Sequence, residues 1–160
     1  MNSNSFEVLV SLENLPKIAS TLANELLKSG HSGFWVSMEG QLGAGKTTFM
    51  RAVLQALGVT VRIKSPTYTL VETYQIGTHS LQHWDWYRLQ DPSELEVLGF
   101  EEGAESAWVF VEWSSRFAHL SQANDLLIEW LTIDEPRLIR FSAYSERGQL
   151  ILANMQSPEN

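Results

Sequence analysis

The run Gly40-Gln41-Leu42-Gly43-Ala44-Gly45-Lys46-Thr47-Thr48 sets the terms for the rest of the chain. It fits G-x-x-x-x-G-K-[ST], the loop that cradles nucleotide phosphates. Its flanks fit as well. Phe34-Trp35-Val36-Ser37-Met38 reads as a buried strand leading in, and Phe49, Val53, Leu54 and Leu57 recur at helical spacing behind it, with Gly58 as a stop. Strand, glycine loop and helix is the context the motif requires. Phosphates are held there by backbone N–H groups at close range, and side chains at Gly43 or Gly45 would obstruct that approach. The helix start adds about half a positive elementary charge. Lys46 is placed to reach the β and γ phosphate oxygens, and Thr47 to offer its hydroxyl to Mg²⁺. Gly40, Leu42, Gly43, Ala44, Gly45, Lys46, Thr47 and Thr48 are therefore the expected nucleotide-binding residues.

The rest of the composition narrows the class. The 160 residues suit one domain, 1–160, with 44% hydrophobic and 19% charged residues. With no cysteine, thiolate and disulfide chemistry are excluded, and the four histidines show no metal-ligand spacing, so no zinc site is expected. Met1-Asn2-Ser3-Asn4-Ser5 lacks the basic start and apolar core of a signal peptide, and no apolar run reaches membrane-span length. A cytoplasmic protein with no membrane partner is expected. A net charge of −8 argues against general nucleic-acid binding, and no DNA partner is expected. The charge is unevenly spread. Between Gly40 and Val71 there is no acid, but Lys46, Arg51, Arg62 and Lys64 fall there. Asp91 to Glu105 holds six carboxylates and no base. That second stretch reads as a solvated helical face, or as a docking surface for a basic partner.

In chain order, Phe6 to Leu12 alternates as a strand, and Asn14 is placed to cap a helix with Pro16 near its first turn. Ile18, Leu22, Leu26 and Leu27 form that helix's apolar stripe, and Gly30 closes it. Past the loop helix, Val59 to Lys64 reads as a short extended stretch. Tyr68 to Ile76 and Leu81 to Tyr87 read as a hairpin about a turn at Gly77 to Ser80. Asp91-Pro92-Ser93-Glu94 starts a helix that ends at Gly99. Trp108-Val109-Phe110-Val111 is a strand buried on both faces, and Ser114 to Ser121 a loop or short helix. Leu126 to Ile133, Leu138 to Tyr144 and Leu150 to Leu152 read as an antiparallel meander. The expectation is an α/β fold, with parallel strands around the loop extended by antiparallel strands in a mixed sheet.

A phosphate loop needs a carboxylate near its metal, at a strand's carboxyl end. Glu112, ending the apolar run, is the first candidate, as a metal ligand. Asp85, in His83-Trp84-Asp85-Trp86-Tyr87-Arg88-Leu89, is the second. His83, Asp85 and Tyr87 share one face of a strand and could order an attacking or metal-bound water. Arg88 falls on the other face, to pair with the acidic stretch or to offset phosphate charge. Ser65-Pro66-Thr67 stands where nucleotide switches place a γ-phosphate sensor, or is a plain turn. Trp113 is the tryptophan expected near the nucleotide. The region around Asn14 and the turn at Asp134 are the candidates for the adenine site.

Four motifs occur in order: the loop itself, Ser65-Pro66-Thr67-Tyr68-Thr69-Leu70-Val71-Glu72, His83-x-Asp85-x-Tyr87-Arg88-Leu89 with Asp91-Pro92, and Val111-Glu112-Trp113. Together, from about Phe34 to Arg116, the set resembles the TsaE family, small ATPases of bacterial tRNA threonylcarbamoyladenosine synthesis. The resemblance implies a three-layer P-loop NTPase fold and weak ATP hydrolysis with Mg²⁺. It implies association with TsaB and TsaD, and a role in repeated cycles of threonylcarbamoyl transfer without carrying out that transfer. tRNA would be met only through the complex. By motif match, Lys46 and Thr47 take the phosphate and Mg²⁺ roles, Glu112 the metal role, and Asp85 a place in the hydrolytic site, so Asp85 and Lys46 are the expected catalytic residues. Two departures stand out. Gln41 replaces a common acid, and Glu101-Glu102-Gly103-Ala104 lacks an aromatic often found there, at a partner contact. Rival readings are a small-molecule kinase, a GTP switch and a nucleotide-dependent scaffold without relevant hydrolysis. No arginine cluster follows Glu112 for a kinase lid, and no Asn-Lys-x-Asp guanine motif is present.

Overall fold

Strand β2 (Phe34–Glu39) shows why this sequence builds a sheet covered on both sides. Successive side chains point to opposite faces. Phe34, Val36 and Met38 enter one apolar core, and Trp35 enters the other. Strand β5 (Trp108–Glu112) divides in the same way. Trp108 and Phe110 join the first core, Val109 and Val111 the second. A continuous apolar run is what a strand buried on both faces needs. Each large side chain so buried contributes about 1.5–3 kcal/mol.

The structure is a computed structural model that describes residues 4–157; Met1-Asn2-Ser3, part of the segment read as no signal peptide, and 158–160 lie outside the described residues. The remaining strands are β1 (Ser5–Val10), β3 (Val71–Ile76), β4 (His79–Asp85), β6 (Leu126–Trp130) and β7 (Arg137–Ala143). They form one sheet in the order β1-β7-β6-β2-β5-β4-β3. The inner neighbours β6, β2, β5 and β4 run parallel. Antiparallel strands extend both edges, β7 and β1 on one side and β3 on the other. This is the mixed sheet of a P-loop NTPase fold.

Helices make the outer layers. α1 (Leu15–Ser29) and α2 (Lys46–Ala56) cover one face, through Ala19, Leu22, Ala23 and Leu26 on α1 and Phe49, Met50, Val53 and Leu54 on α2. Leu27, expected in the stripe, is exposed, and the small Ala19 and Ala23 are buried instead. α3 (Ser93–Val97) and α4 (Phe100–Ser106) cover the other face, with a 3-10 turn over Ser114–Phe117 and the short α5 (Ala118–Ser121). There Trp84, Trp86 and Phe100 pack edge to face. No helix among the described residues is long and apolar enough to cross a membrane.

Four local expectations are corrected. Leu150 to Leu152 is not a strand but lies in α6 (Glu146–Gln156), where Ile151 and Leu152 are buried and Leu150 is exposed. Ser145 caps it by accepting from the Gly148 N–H at 3.0 Å. Gly148 looks like a turn residue in sequence. It is glycine because a Cβ there would meet the Asp125 carbonyl oxygen at 2.2 Å. The hairpin turn is tighter than expected, since His79 and Ser80 already pair with Ile76 and Gln75. Strand β3 begins only at Val71, because Leu70 takes a positive φ of 69°. Asn14 does not cap α1. Its Oδ1 accepts from the Ser11 N–H at 2.7 Å, and its Nδ2 donates to the Leu9 carbonyl at 2.9 Å, which shapes the turn before the helix.

Candidate functional site

The chain leaves β2 at Glu39 and must turn sharply to enter α2. Gly43 and Gly45 do this at φ of 79° and 111°, where L side chains are strained. Gly40 is required by space, because a Cβ there would sit 2.8 Å from Trp130 Cβ. The Ala44 N–H donates to the Gln41 carbonyl at 3.0 Å and tightens the loop, while the Leu42 side chain points outward, 72% exposed. The first N–H groups of α2, before Phe49 pairs with the Gly45 carbonyl, have no acceptor within the helix, the feature by which helix starts attract anions.

Lys46 is the centre of the cleft. Its side chain is almost fully buried, and Nζ donates to the Gly40 carbonyl and, at 3.3 Å, to the Gln41 carbonyl. It also lies 4.2 Å from the centre of the Trp113 ring. Burial pulls the Lys46 ammonium below its ordinary value, and Glu112, Glu39 and Asp85 oppose that shift. Thr47, Thr67, Asp85, Glu112, Trp113 and Arg137 line the same cleft.

Both expected carboxylates arrive where parallel strands end. β4 closes at Asp85 and β5 at Glu112. Asp85 Oδ1 accepts from the Tyr87 N–H at 2.9 Å. Burial raises the Asp85 carboxyl above the usual range; the Tyr87 N–H works against this and the nearby Glu112 adds to it. Glu112 Oε2 is 2.7 Å from His83 Nε2, and both side chains are buried. Among the described residues His83 Nδ1 has no partner, so the tautomer that fits carries its proton on Nε2 and donates to Glu112. Donation there fixes the carboxylate's orientation.

The expected His83–Asp85–Tyr87 face is only partly kept. His83 and Asp85 both reach the site. Tyr87 lies beyond the strand, and its ring packs on Trp113 at 5.0 Å. Arg88 neither joins the acidic stretch nor enters the cleft, and its guanidinium sits 4.5 Å over the exposed Tyr68 ring. Thr67 is in the cleft wall, bonded to Ser65 Oγ at 2.7 Å. Among the described residues no group of three or more His, Asp or Glu forms a metal cage. A Mg²⁺ that keeps its waters and binds phosphate needs only one or two protein oxygens, and Thr47 and Glu112 could supply them.

Sequence reasoning missed two residues. Arg137, from β7, lies 3.7 Å from where a Cβ on Gly45 would stand, and its buried Nε has no partner among the described residues. Glu39 closes β2 beside the loop and accepts from Ser114 Oγ and from Ser115. Neither is marked by any local pattern. The two regions named for adenine do meet. The Leu12 N–H donates to Glu135 Oε1 at 2.7 Å, and Glu135 Oε2 takes Arg137 Nη1 at 3.0 Å. A narrow crevice beside them is walled by Leu12, Leu15, Ala44, Thr48 and Trp130.

The family model described as threonylcarbamoyl adenosine biosynthesis protein TsaE matches residues 9–139, which take in the loop, both carboxylates and Arg137. The chain belongs to the TsaE family. It is 39% identical over 119 residues to the tRNA threonylcarbamoyladenosine biosynthesis protein TsaE of Haemophilus influenzae, covering 74% of this chain and 75% of that one. It is 34% identical over 152 residues to the Bacillus subtilis TsaE, covering 91% and 92%. Among solved structures it is similar to the crystal structure of Bacillus subtilis YdiB, with a TM-score of 0.70, 26% identity and coverage of 98% and 95%. Membership of the TsaE family and the P-loop fold thus rest on separate comparisons of sequence and of structure.

Proposed function

We propose that this TsaE-family chain is a single-domain Mg²⁺-dependent ATPase of the cytoplasm that supports tRNA threonylcarbamoyladenosine modification through TsaB and TsaD. The observation that carries the reading is one cleft holding Lys46, Thr47, Asp85 and Glu112 at the carboxyl ends of β4 and β5. Backbone N–H groups at the start of α2 bind the phosphates, and Lys46 offsets their charge from a fixed, desolvated position. Thr47 and Glu112 would hold Mg²⁺, with His83 orienting Glu112. Bound there, Mg²⁺ would supply positive charge against the negative charge that develops on the phosphates. Asp85 orients the attacking water and accepts its proton, a task suited to a carboxylate whose proton affinity burial has raised. Trp113 and Tyr87 exclude bulk water beside Lys46. Arg137 and the surface between the turns at Leu12 and Glu135 receive the base end of the nucleotide. The Ser65 to Glu72 segment, in touch with the cleft through Thr67, shifts between nucleotide states and alters the fit to TsaB and TsaD.

The test is ATP turnover by the purified chain, alone and with TsaB and TsaD. A low rate that rises with the partners is expected, with modification halted by a non-hydrolysable analogue. A high rate indifferent to both partners would overturn the partner-gated reading, and a phosphorylated small molecule as product would replace it with a kinase.

A further inference from the structure

We propose that Glu39 is a positioning residue that locks the turn after Glu112 to the start of the phosphate loop, and so fixes Trp113 over Lys46; this rests on the ATPase reading above. Glu39 is the last residue of β2 and only half-buried. Its Oε1 accepts from Ser114 Oγ at 2.8 Å and from the Ser115 N–H at 2.7 Å, and its Oε2 accepts from Ser115 Oγ at 3.0 Å. A carboxylate so occupied acts as an acceptor for the turn more readily than as a metal ligand.

The turn it holds is not a relaxed one. Trp113 adopts a left-handed conformation, φ 61° and ψ 37°, which a bulky residue keeps only where its surroundings impose it. The Trp113 N–H donates to the Met38 carbonyl at 3.2 Å, so β2 grips the turn through its backbone at Met38 and through a side chain at Glu39. On that anchored residue the indole lies 4.2 Å from Lys46 Nζ and packs against Tyr87. Glu39 also places a negative charge near enough to favour the charged form of Lys46. Nucleotide loop, metal carboxylate turn and indole cover are thereby joined by one side chain that need not touch the nucleotide.

The full chain is assayed as wild type, Glu39→Ala and Glu39→Gln, for kcat and KM toward ATP and for the tryptophan emission change on ADP addition. Trp113→Phe identifies the share of that signal due to Trp113. For Glu39→Ala, kcat is expected to fall by about 10-fold, the size typical of losing an outer-shell partner, with KM within about twofold and the Trp113 signal altered. Glu39→Gln keeps an Oε1 that accepts from Ser114 and Ser115, so it recovers kcat to within about threefold. Should Glu39→Ala not fold, the Ser114→Ala and Ser115→Ala double variant removes both hydroxyl bonds and is expected to lower kcat in the same way. Unchanged kcat and an unchanged Trp113 signal in Glu39→Ala or in the double variant would overturn the proposal. So would a Glu39→Gln that is as weak as Glu39→Ala and needs more Mg²⁺, because that marks a charge or metal role. If the wild type does not hydrolyse ATP, the ATPase reading falls by itself, and the Trp113 signal in apo protein decides the role of Glu39.

Discussion

Asp85 and Glu112 are register partners across β4 and β5, and each is the last residue of its strand. The next strand continues the alignment, since Glu112 pairs with Met38 immediately before Glu39 and the loop. Parallel pairing therefore delivers two carboxylates and the phosphate loop at one level, at the end of the sheet where α/β folds place ligands.

Asp85→Asn is expected to abolish ATP turnover yet raise thermal stability at neutral pH. Because burial lifts the folded carboxyl above its ordinary 3.8, the native state holds the proton longer than the unfolded chain. Stability then declines as pH rises from about 3.8 through the folded value, and above it the charged Asp85 remains a cost. Thermal melts of both proteins from pH 3 to 8 check this. The variant's advantage in melting temperature at neutral pH should shrink toward the acid end.

His83→Leu removes the donor to Glu112 and with it a buried nitrogen that lacks a partner among the described residues. Its fold should survive. The Mg²⁺ concentration for half-maximal ATPase activity is expected to rise by about 10- to 100-fold, the usual effect of losing an outer-shell partner. A Mg²⁺ titration at saturating ATP reads this out, and an unchanged midpoint would remove His83 from the metal site.

Arg137→Ala should raise KM for ATP by about 10-fold with little change in kcat, the signature of lost uniform binding. A buried Nε without a partner among the described residues, close to Gly45, motivates this. Steady-state kinetics decide it, and a fall in kcat at constant KM would instead place Arg137 in the hydrolytic step.

Gly45→Ala should prevent ADP binding and destabilise the chain by about 1–3 kcal/mol, the range for a non-glycine residue held in a sparsely populated backbone region. The φ of 111° is the cause, since a Cβ would find only ordinary contacts at 3.7 Å. Urea unfolding and calorimetric titration with ADP test the two parts separately.

Much of the site is legible in the sequence where its parts are consecutive or end an apolar run. The loop, Lys46, Thr47 and Glu112 are of this kind, and so is Asp85 within its strand. Arg137 and Glu39 are not, because what makes each of them relevant is contributed by residues distant in sequence, Gly45 for one and Ser114 and Ser115 for the other. The error at α6 has a different origin. Ser145 and the spacing of Ile151, Leu152 and Met155 are helix signals, but Gly148 imitates a turn because the Asp125 backbone passes close by. Tyr87 continues the alternation of His83 and Asp85 in sequence, but β4 ends two residues before it, and its ring reaches Trp113 by way of a turn.

The crevice beside the phosphate loop takes one wall from the turn after β1 and another from β7, and those two strands are hydrogen-bonded to each other along their whole length. During synthesis the loop leaves the ribosome well before the arginine that flanks it. If the chain binds ATP as proposed, a nascent or prematurely terminated chain would present the loop glycines without the wall that β7 adds beside them, and would hold nucleotide poorly until β7 had folded back onto β1.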